Sequence, residues 1–337
     1  MNKNQALVIS DSQIIFYYTS FSVDDGVLVI TDEAQFLLTD MRYYEMALKR
    51  ARATVLLLDE VPLTDFLKSK EIEEVGIIYK LETALTFNEL VKNFKVFDCY
   101  DIVFNKMAVK NSQEIALISK SCEIIQNSYK IALNNLKEGI TEREFSAILE
   151  YNFKLQGADG ASFETIVAFG EGSAIPHYKT GDVKLKKDMP VLVDFGCVYK
   201  GFCSDMTRSF YFGTPTDEYV HVYSAVLRAQ EYALKNVRSG LTSVEADEVA
   251  RSILKEYGLD KYFTHGLGHG IGVKVHEGIP LSKKGNHLLE DGNVFSIEPG
   301  VYINGKFGVR IEDTVYLSKG KCVPLITLEK PMAIKPL

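Results

Sequence analysis

The sequence predicts an α+β protein in two units, residues 1–105 and 106–337. Three observations carry this prediction. Up to about residue 100, short β-rich runs alternate with helical ones. From Ser112 onward longer amphipathic helices appear. Within the second unit a fourteen-residue stretch recurs 101 residues later, which predicts two similar halves.

Taken in order, Gln13–Tyr18, Gly26–Thr31, Gln35–Leu38, Thr54–Leu58 and Val75–Tyr79 read as strands, and Arg42–Ala53 as a helix. A linker is expected over Asp101–Lys110. Ser112–Leu136 then places Ile115, Ile118, Cys122, Ile125, Tyr129 and Ala132 at helical spacing, a long amphipathic helix that opens the second unit. The repeat follows: "IALNNLKEGITERE" at 131–144 aligns with "YALKNVRSGLTSVE" at 232–245, six of fourteen positions being identical. Each copy ends a helix at a glycine, Gly139 or Gly240, and opens the next with a capping box, Thr141 with Glu144 and Thr242 with Glu245. A site between such halves takes matching contributions from each.

A net charge of −7 argues against nucleic-acid binding. The only apolar run near the start, Ala6–Ile9, is too short for a signal peptide, and no run approaches a membrane span, so a cytoplasmic protein is expected. Five cysteines form no CxxC pair and read as reduced thiols in the core.

Both halves offer a hairpin that carries acids. In "PVLVDFGCVYKGFCSDMTRSFYF" a two-residue turn at Lys200-Gly201 pairs Tyr199 with Phe202, which sets Asp194 opposite Thr207 and diagonal to Asp205 on one face. In "FSIEPGVYINGKFGVRIEDTVYL" a three-residue loop, Asn304-Gly305-Lys306, sets Glu298 opposite Glu312. Apposed like charges destabilise a sheet unless something positive lies between them, so four carboxylates in apolar strands argue for metal. With an imidazole they make a hard donor set suited to a pair of divalent ions, Mn²⁺ foremost, with Co²⁺ or Zn²⁺ also acceptable. The charge of two such ions balances four carboxylates and lets water act as a nucleophile near neutral pH.

The imidazole comes from "HGLGHGIGVKVHEG", which holds His265, His269 and His276. Gly266, Gly268, Gly270 and Gly272 make a helix improbable there, so the four-residue spacing of His265 and His269 implies no shared helical face. In an extended chain His269 and His276 point to opposite faces unless a turn intervenes, and all three histidines are not expected to reach one ion. Pro280 stands four residues after His276, which excludes an HExxH helix. "GLGHGIG" also lacks the spacing and context of a dinucleotide-binding loop.

The blocks "VDFG", "SDMTRSF", "HGLGHGIGVKVHEG", "SIEPGVY" and "GVRIEDT", in this order, resemble the pita-bread metallopeptidase family, which includes methionine aminopeptidases, Xaa-Pro aminopeptidases and Xaa-Pro dipeptidases (prolidases). The resemblance implies a pseudo-two-fold pita-bread catalytic domain whose metal ligands are Asp194, Asp205, His269, Glu298 and Glu312, with Asp205 and Glu312 shared between or nearest to both ions. His276 in "VHE" and His177 in "AIPHY" match the family's non-ligand histidines, which hydrogen-bond the substrate carbonyl or tetrahedral intermediate and move protons. His265 resembles the residue that lines the substrate pocket, and Tyr302 and Arg310 sit beside Glu298 and Glu312 as supporting, substrate-side partners. His221 and His287 match no motif.

The segment "FYYTSFSVDDGVLVITDEAQFLLTDMRYYEMA" resembles the creatinase/prolidase-type amino domain, and "VHE" with "PHY" resembles the proline-directed branch. The first strand lies close to the start, so a helix often found there is expected to be missing. The implied activity is removal of an N-terminal residue from a following proline, by an Xaa-Pro dipeptidase or an Xaa-Pro aminopeptidase. Phe163, Val275, His265 and His177 are expected to line a rigid apolar pocket for the proline ring. Some prolidases carry an arginine just after "VHE"; "GIPL" at 278–281 offers none, and the nearest bases are Lys283 and Lys284. The implied partners are short peptides with proline at the second position and, because relatives commonly pair, a second copy of the chain in a homodimer. The alternatives are a methionine-aminopeptidase-like peptidase and a non-catalytic peptide-binding protein of the same fold.

Overall fold

A computed structural model describes residues 2–335. The chain divides into two compact units, one ending at Lys106 and the other beginning at Met107. In the first, six strands lie side by side in the order Thr54–Leu57, Gln35–Thr39, Gly26–Ile30, Gln5–Ile9, Glu74–Ile77 and Lys95–Asp98. Alternation along these strands turns Ala6, Val8, Val29, Leu38, Val75 and Ile77 onto a buried face. Phe66 and Leu67 from helix Leu63–Ser69 and Leu90 from helix Ala84–Val91 cover it.

One stretch of this unit differs from the sequence reading. Gln13–Tyr18 is not a strand: Ser12–Thr19 is a helix, started by the Asp11 carboxylate accepting from the N–H of Ile14 at 3.0 Å. A continuous apolar run has no period of its own, and the cap decides it. The expected linker, Asp101–Lys110, contains the boundary between the two units and is helical from Tyr100 to Ala108, with Val103, Phe104, Met107 and Ala108 buried at three- and four-residue spacing. The helices expected over Arg42–Ala53 and Ser112–Leu136 run Met41–Arg50 and Ser112–Leu133.

In the second unit the repeat is visible bond by bond. Both capping boxes form, opening helices Glu142–Leu155 and Ser243–Glu256. Gly139 and Gly240 have φ of 86° and 89°, a left-handed conformation that a glycine adopts without strain. The N–H of Gly139 donates to Leu185 O and that of Gly240 to Leu289 O. Leu185 returns a bond to Ile140 O, and Leu289 to Leu241 O. The two halves therefore close the same turn with the same bonds, as duplicated halves require.

Each half then contributes paired strands. Met189–Phe195 runs antiparallel to Met206–Phe212 and to Ile166–Phe169. Val294–Ile297 pairs with Asp313–Ser318, and Gly300–Ile303 with Phe307–Arg310. The core of the second half packs helix Asp217–Asn236, through Tyr219, Tyr223 and Val226, against Phe295, Ile297, Val309 and Val315 of these strands. The five cysteines are free thiols, four of them buried. Among the described residues no helix is long and apolar enough to cross a membrane.

Candidate metal centre and active site

The two hairpins form in the expected registers. Tyr199 pairs with Phe202 across Lys200-Gly201, and in the same register Asp194 faces Thr207. Ile303 pairs with Phe307, Gly300 with Arg310 and Ile297 with Asp313, so Glu298 and Glu312 face each other between the two ladders. The halves join where the N–H of Glu312 donates to Thr207 O at 3.1 Å and the Ser209 hydroxyl donates to Arg310 O at 2.9 Å. Thr314 and Asp205 tie the next step, the Thr314 hydroxyl donating to Asp205 O at 2.7 Å.

This junction gathers the acids. Donor atoms of Asp205, His269 and Glu312 lie within 4.8 Å of one another. His269 Nε2 stands 3.6 Å from Asp205 Oδ2 and 3.4 Å from Glu298 Oε1, and Arg310 Nη2 donates to Asp194 Oδ2 at 2.5 Å. Burial, and then the charges of their neighbours, push Asp205 and Glu312 well above the usual carboxyl range. Burial likewise pushes Glu298 up to about 8. Three buried oxygens, Asp194 Oδ1, Asp205 Oδ1 and Glu312 Oε1, have no hydrogen-bond partner. Buried polar atoms are rarely left unpaired, so a cluster of unpaired carboxylate oxygens beside an imidazole fits divalent cations.

Asp313, next to Glu312 in sequence, shows the contrast. Burial pushes its carboxyl up, but Arg208 and Lys330 outweigh burial and hold it below the usual range. Arg208 lies 2.7 Å and Lys330 2.6 Å from it, and Gln230 donates to it at 2.8 Å. Neighbouring acids thus leave the strand on opposite faces, one fully paired and the other facing more acids.

The three histidines occupy three different places. The ring of His269 presents Nδ1 to Gly270 O at 3.3 Å, which leaves Nε2 and its lone pair toward the acids. His265 Nδ1 faces Gly266 O at 2.8 Å, so Nε2 accepts from the Tyr302 hydroxyl at 2.9 Å, and Tyr302 in turn accepts from Arg310 Nη1 at 2.6 Å. Burial depresses both His265 and His269 to about 3, which keeps both rings neutral. The intervening turn does occur: Gly272 donates to Lys274 O and Glu277 to Gly270 O, which folds His276 back until its ring centroid lies 4.0 Å from that of His269. Desolvation, and then His177, lower the pKa of His276.

A cavity of about 530 Å³ opens over the cluster. Its walls include Asp194, Asp205, His269, Glu298, Glu312 and Arg310, together with His177, His265, His276, Phe163 and Val275. Tyr302 is the exception among the residues expected at the site. It does not line the cavity but is buried behind His265, which it holds by the bond just described. Pro176, Ile166 and Pro280 add apolar wall, and Lys179 and Glu164 add charge, none of which local spacing signalled. His221 and His287 lie outside it.

The sequence reading also missed residues that hold the acids in place. The Thr207 hydroxyl donates to Glu312 Oε2 at 2.6 Å and accepts from Arg310 Nε at 3.0 Å. Ser296 accepts from the N–H of His269 and donates to Glu298 Oε1, both at 3.1 Å. Arg208 Nη1 donates to the carbonyls of Thr207 and Glu312. A signal existed: Thr207, Arg208 and Ser209 are polar residues in a strand otherwise made of apolar ones. Gly268 is required by closeness, since a Cβ there would lie 2.0 Å from Ser296 O.

Comparison with known proteins places this geometry. The metallopeptidase family M24 matches residues 116–319, which span all five acid and imidazole positions. The chain belongs to that family. Residues 2–104 match the Creatinase/Prolidase N-terminal domain. Over 344 aligned residues the chain is 34% identical to the Xaa-Pro dipeptidase of Pyrococcus horikoshii, covering 98% of this chain and 96% of that protein. Among solved structures, the prolidase from Pyrococcus furiosus matches with a TM-score of 0.90 at 31% identity, covering 96% of this chain and 97% of that one. The X-Pro aminopeptidase from Thermotoga maritima MSB8 matches with a TM-score of 0.90 at 33% identity, covering 98% and 95%. The family implies divalent metal ions, and the Asp205, His269 and Glu312 group is where this chain can hold them.

Proposed function

We propose that this M24 metallopeptidase is an exopeptidase that hydrolyses the bond between an N-terminal residue and a following proline, using two divalent ions, Mn²⁺ foremost. The observation that carries the reading is a cavity of peptide-binding size whose floor is the acid cluster and whose walls combine histidines with an apolar patch of Phe163, Ile166 and Val275. Likeness to an Xaa-Pro dipeptidase, a prolidase and an X-Pro aminopeptidase supports the same substrate class.

Asp194, Asp205, His269, Glu298 and Glu312 would hold the ions, which supply Lewis-acid polarisation and water activation near neutral pH. The chain's own groups do the rest. The free amine of the substrate is drawn to the acids, which limits cutting to one residue from the N-terminus. Phe163, Ile166 and Val275 receive the proline ring, whose nitrogen carries no N–H to satisfy. His276 and His177 face the cavity from its wall, where an imidazole can donate a hydrogen bond to the scissile carbonyl and, after taking up the proton that the attacking water gives up, can pass a proton to the leaving nitrogen. His265, kept neutral by burial and held in one tautomer by Gly266 O and Tyr302, positions rather than transfers.

The test uses protein stripped of metal, reloaded with Mn²⁺ and offered Ala-Pro, Ala-Pro-Ala and Met-Ala-Ser. Release of alanine from a proline peptide is expected, and the ratio of the first two substrates separates dipeptidase from aminopeptidase. Cleavage of Met-Ala-Ser alone would overturn the substrate class.

A further inference from the structure

A buried ion pair holds the loop that carries Val275 and His276 from behind. Lys110 Nζ lies 2.5 Å from Glu277 Oε1, and the two side chains are 2% and 1% exposed. Glu277 Oε2 accepts from the N–H of Val273 at 2.9 Å and of Lys274 at 3.4 Å, so the carboxylate closes the turn between His269 and His276. Lys110 is itself anchored: its N–H donates to Gly292 O at 2.9 Å and its Nζ to Ala108 O at 3.4 Å. His276 and Glu277 are consecutive, and their side chains leave the chain on opposite sides, His276 into the cavity and Glu277 into the interior.

Packing alone does not require this pair. Two charges taken out of water are costly, and apolar residues of the same volume often serve stability as well. The property an apolar pair lacks is direction. One charge-assisted contact and two N–H bonds to a single carboxylate fix the shape of the 273–277 turn and tie it to Lys110, while the Glu277 N–H, donating to Gly270 O, joins the same turn to the residue after His269.

We propose that Lys110 and Glu277 form a positioning pair that sets His276 over the acid cluster. The proposal rests on the reading of His276 as a group that acts on the substrate. The test is a double-mutant cycle on Mn²⁺-loaded protein with Ala-Pro as substrate: Glu277→Gln, which keeps volume and an acceptor for Val273, then His276→Ala, then both. Lys110→Met and the doubly neutral Lys110→Met/Glu277→Gln provide a second arm, of which the double variant leaves no lone charge. All are assayed where circular dichroism shows them folded, with metal content measured.

Glu277→Gln is expected to lower kcat about tenfold with KM little changed, and to cost nothing further once His276 is alanine. Unchanged kcat in Glu277→Gln or in the doubly neutral variant, an equal loss in both His276 backgrounds, or a loss that follows metal content would overturn the positioning role. If His276→Ala alone keeps full activity, the reading of His276 fails and the proposal falls with it. Impairment by His276→Ala with an active Glu277→Gln removes only the proposal.

Discussion

Stripping the divalent ions exposes the acid cluster to its own charge, and Glu298 sets a measurable part of the consequence. Burial pushes its carboxyl from 4.5 up to about 8; Arg310 pulls it down and Asp194 pushes it up. A carboxyl whose folded pKa is raised stabilises the fold fully below its unfolded value of 4.5, and that contribution is lost as the pH rises through about 8. His265 and His269, depressed from 6.5 to about 3, work in the other direction: their contribution is complete above 6.5 and is lost as the pH falls toward 3. Above about 7 the histidines add only a small opposing contribution, common to the native chain and Glu298→Gln, and the carboxyls dominate the trend. Between about pH 7 and about pH 8 the Glu298 contribution falls by about 1 kcal/mol, with Asp205 and Glu312 adding the same sign. Urea unfolding in chelator at those two pH values, for the native chain and for Glu298→Gln, reads the difference directly. The glutamine variant should lose about 1 kcal/mol less over the interval, and Mn²⁺ should remove the loss from the native chain. Metal-free protein as stable at the higher pH as at the lower, or an identical slope in Glu298→Gln, would refute the reasoning.

Three further outcomes follow from single contacts. Thr207→Val deletes the hydroxyl that donates to Glu312 at 2.6 Å, and metal affinity measured by competition with a chelating dye should fall about 10- to 100-fold; unchanged affinity would remove Thr207 from the site. Gly272→Ala places a Cβ 2.2 Å from Glu277 Oε1 and should destabilise the fold by about 1–3 kcal/mol in denaturant melts, whereas a neutral result would mean the loop yields freely. Thr242→Ala removes the side chain that accepts from Glu245 N at 3.3 Å and should cost about 1 kcal/mol without changing kcat; Thr141→Ala should match it if the halves are equivalent.

Much of the site was legible in the sequence because its geometry is local. Hairpin register follows from turn length and a two-residue period, so Lys200-Gly201 and Asn304-Gly305-Lys306 were enough to bring Asp194 opposite Thr207 and Glu298 opposite Glu312. The repeat was legible because a capping box has a fixed spacing. What escaped was non-local or ambiguous. Lys110 and Glu277 stand 167 residues apart, and no pattern links them. Gln13–Tyr18 reads as a strand in the sequence because an unbroken apolar run suits either period, whereas the cap at Asp11 makes it a helix. Tyr302 stands beside the acids in sequence as a supporting residue, but a partner of its hydroxyl, His265, lies 37 residues away, beyond any local pattern.

In the proposed function, peptide cleavage depends on ions held by the buried acids. The most direct measurement titrates Mn²⁺ into metal-free protein while following both bound metal and alanine release from Ala-Pro, with Asp194→Ala in parallel. Activity that is absent without metal, rises as two ions bind per chain and stays low in Asp194→Ala is the predicted result. Metal-free protein, or metal-free Asp194→Ala, that cleaves Ala-Pro at the full rate would contradict it.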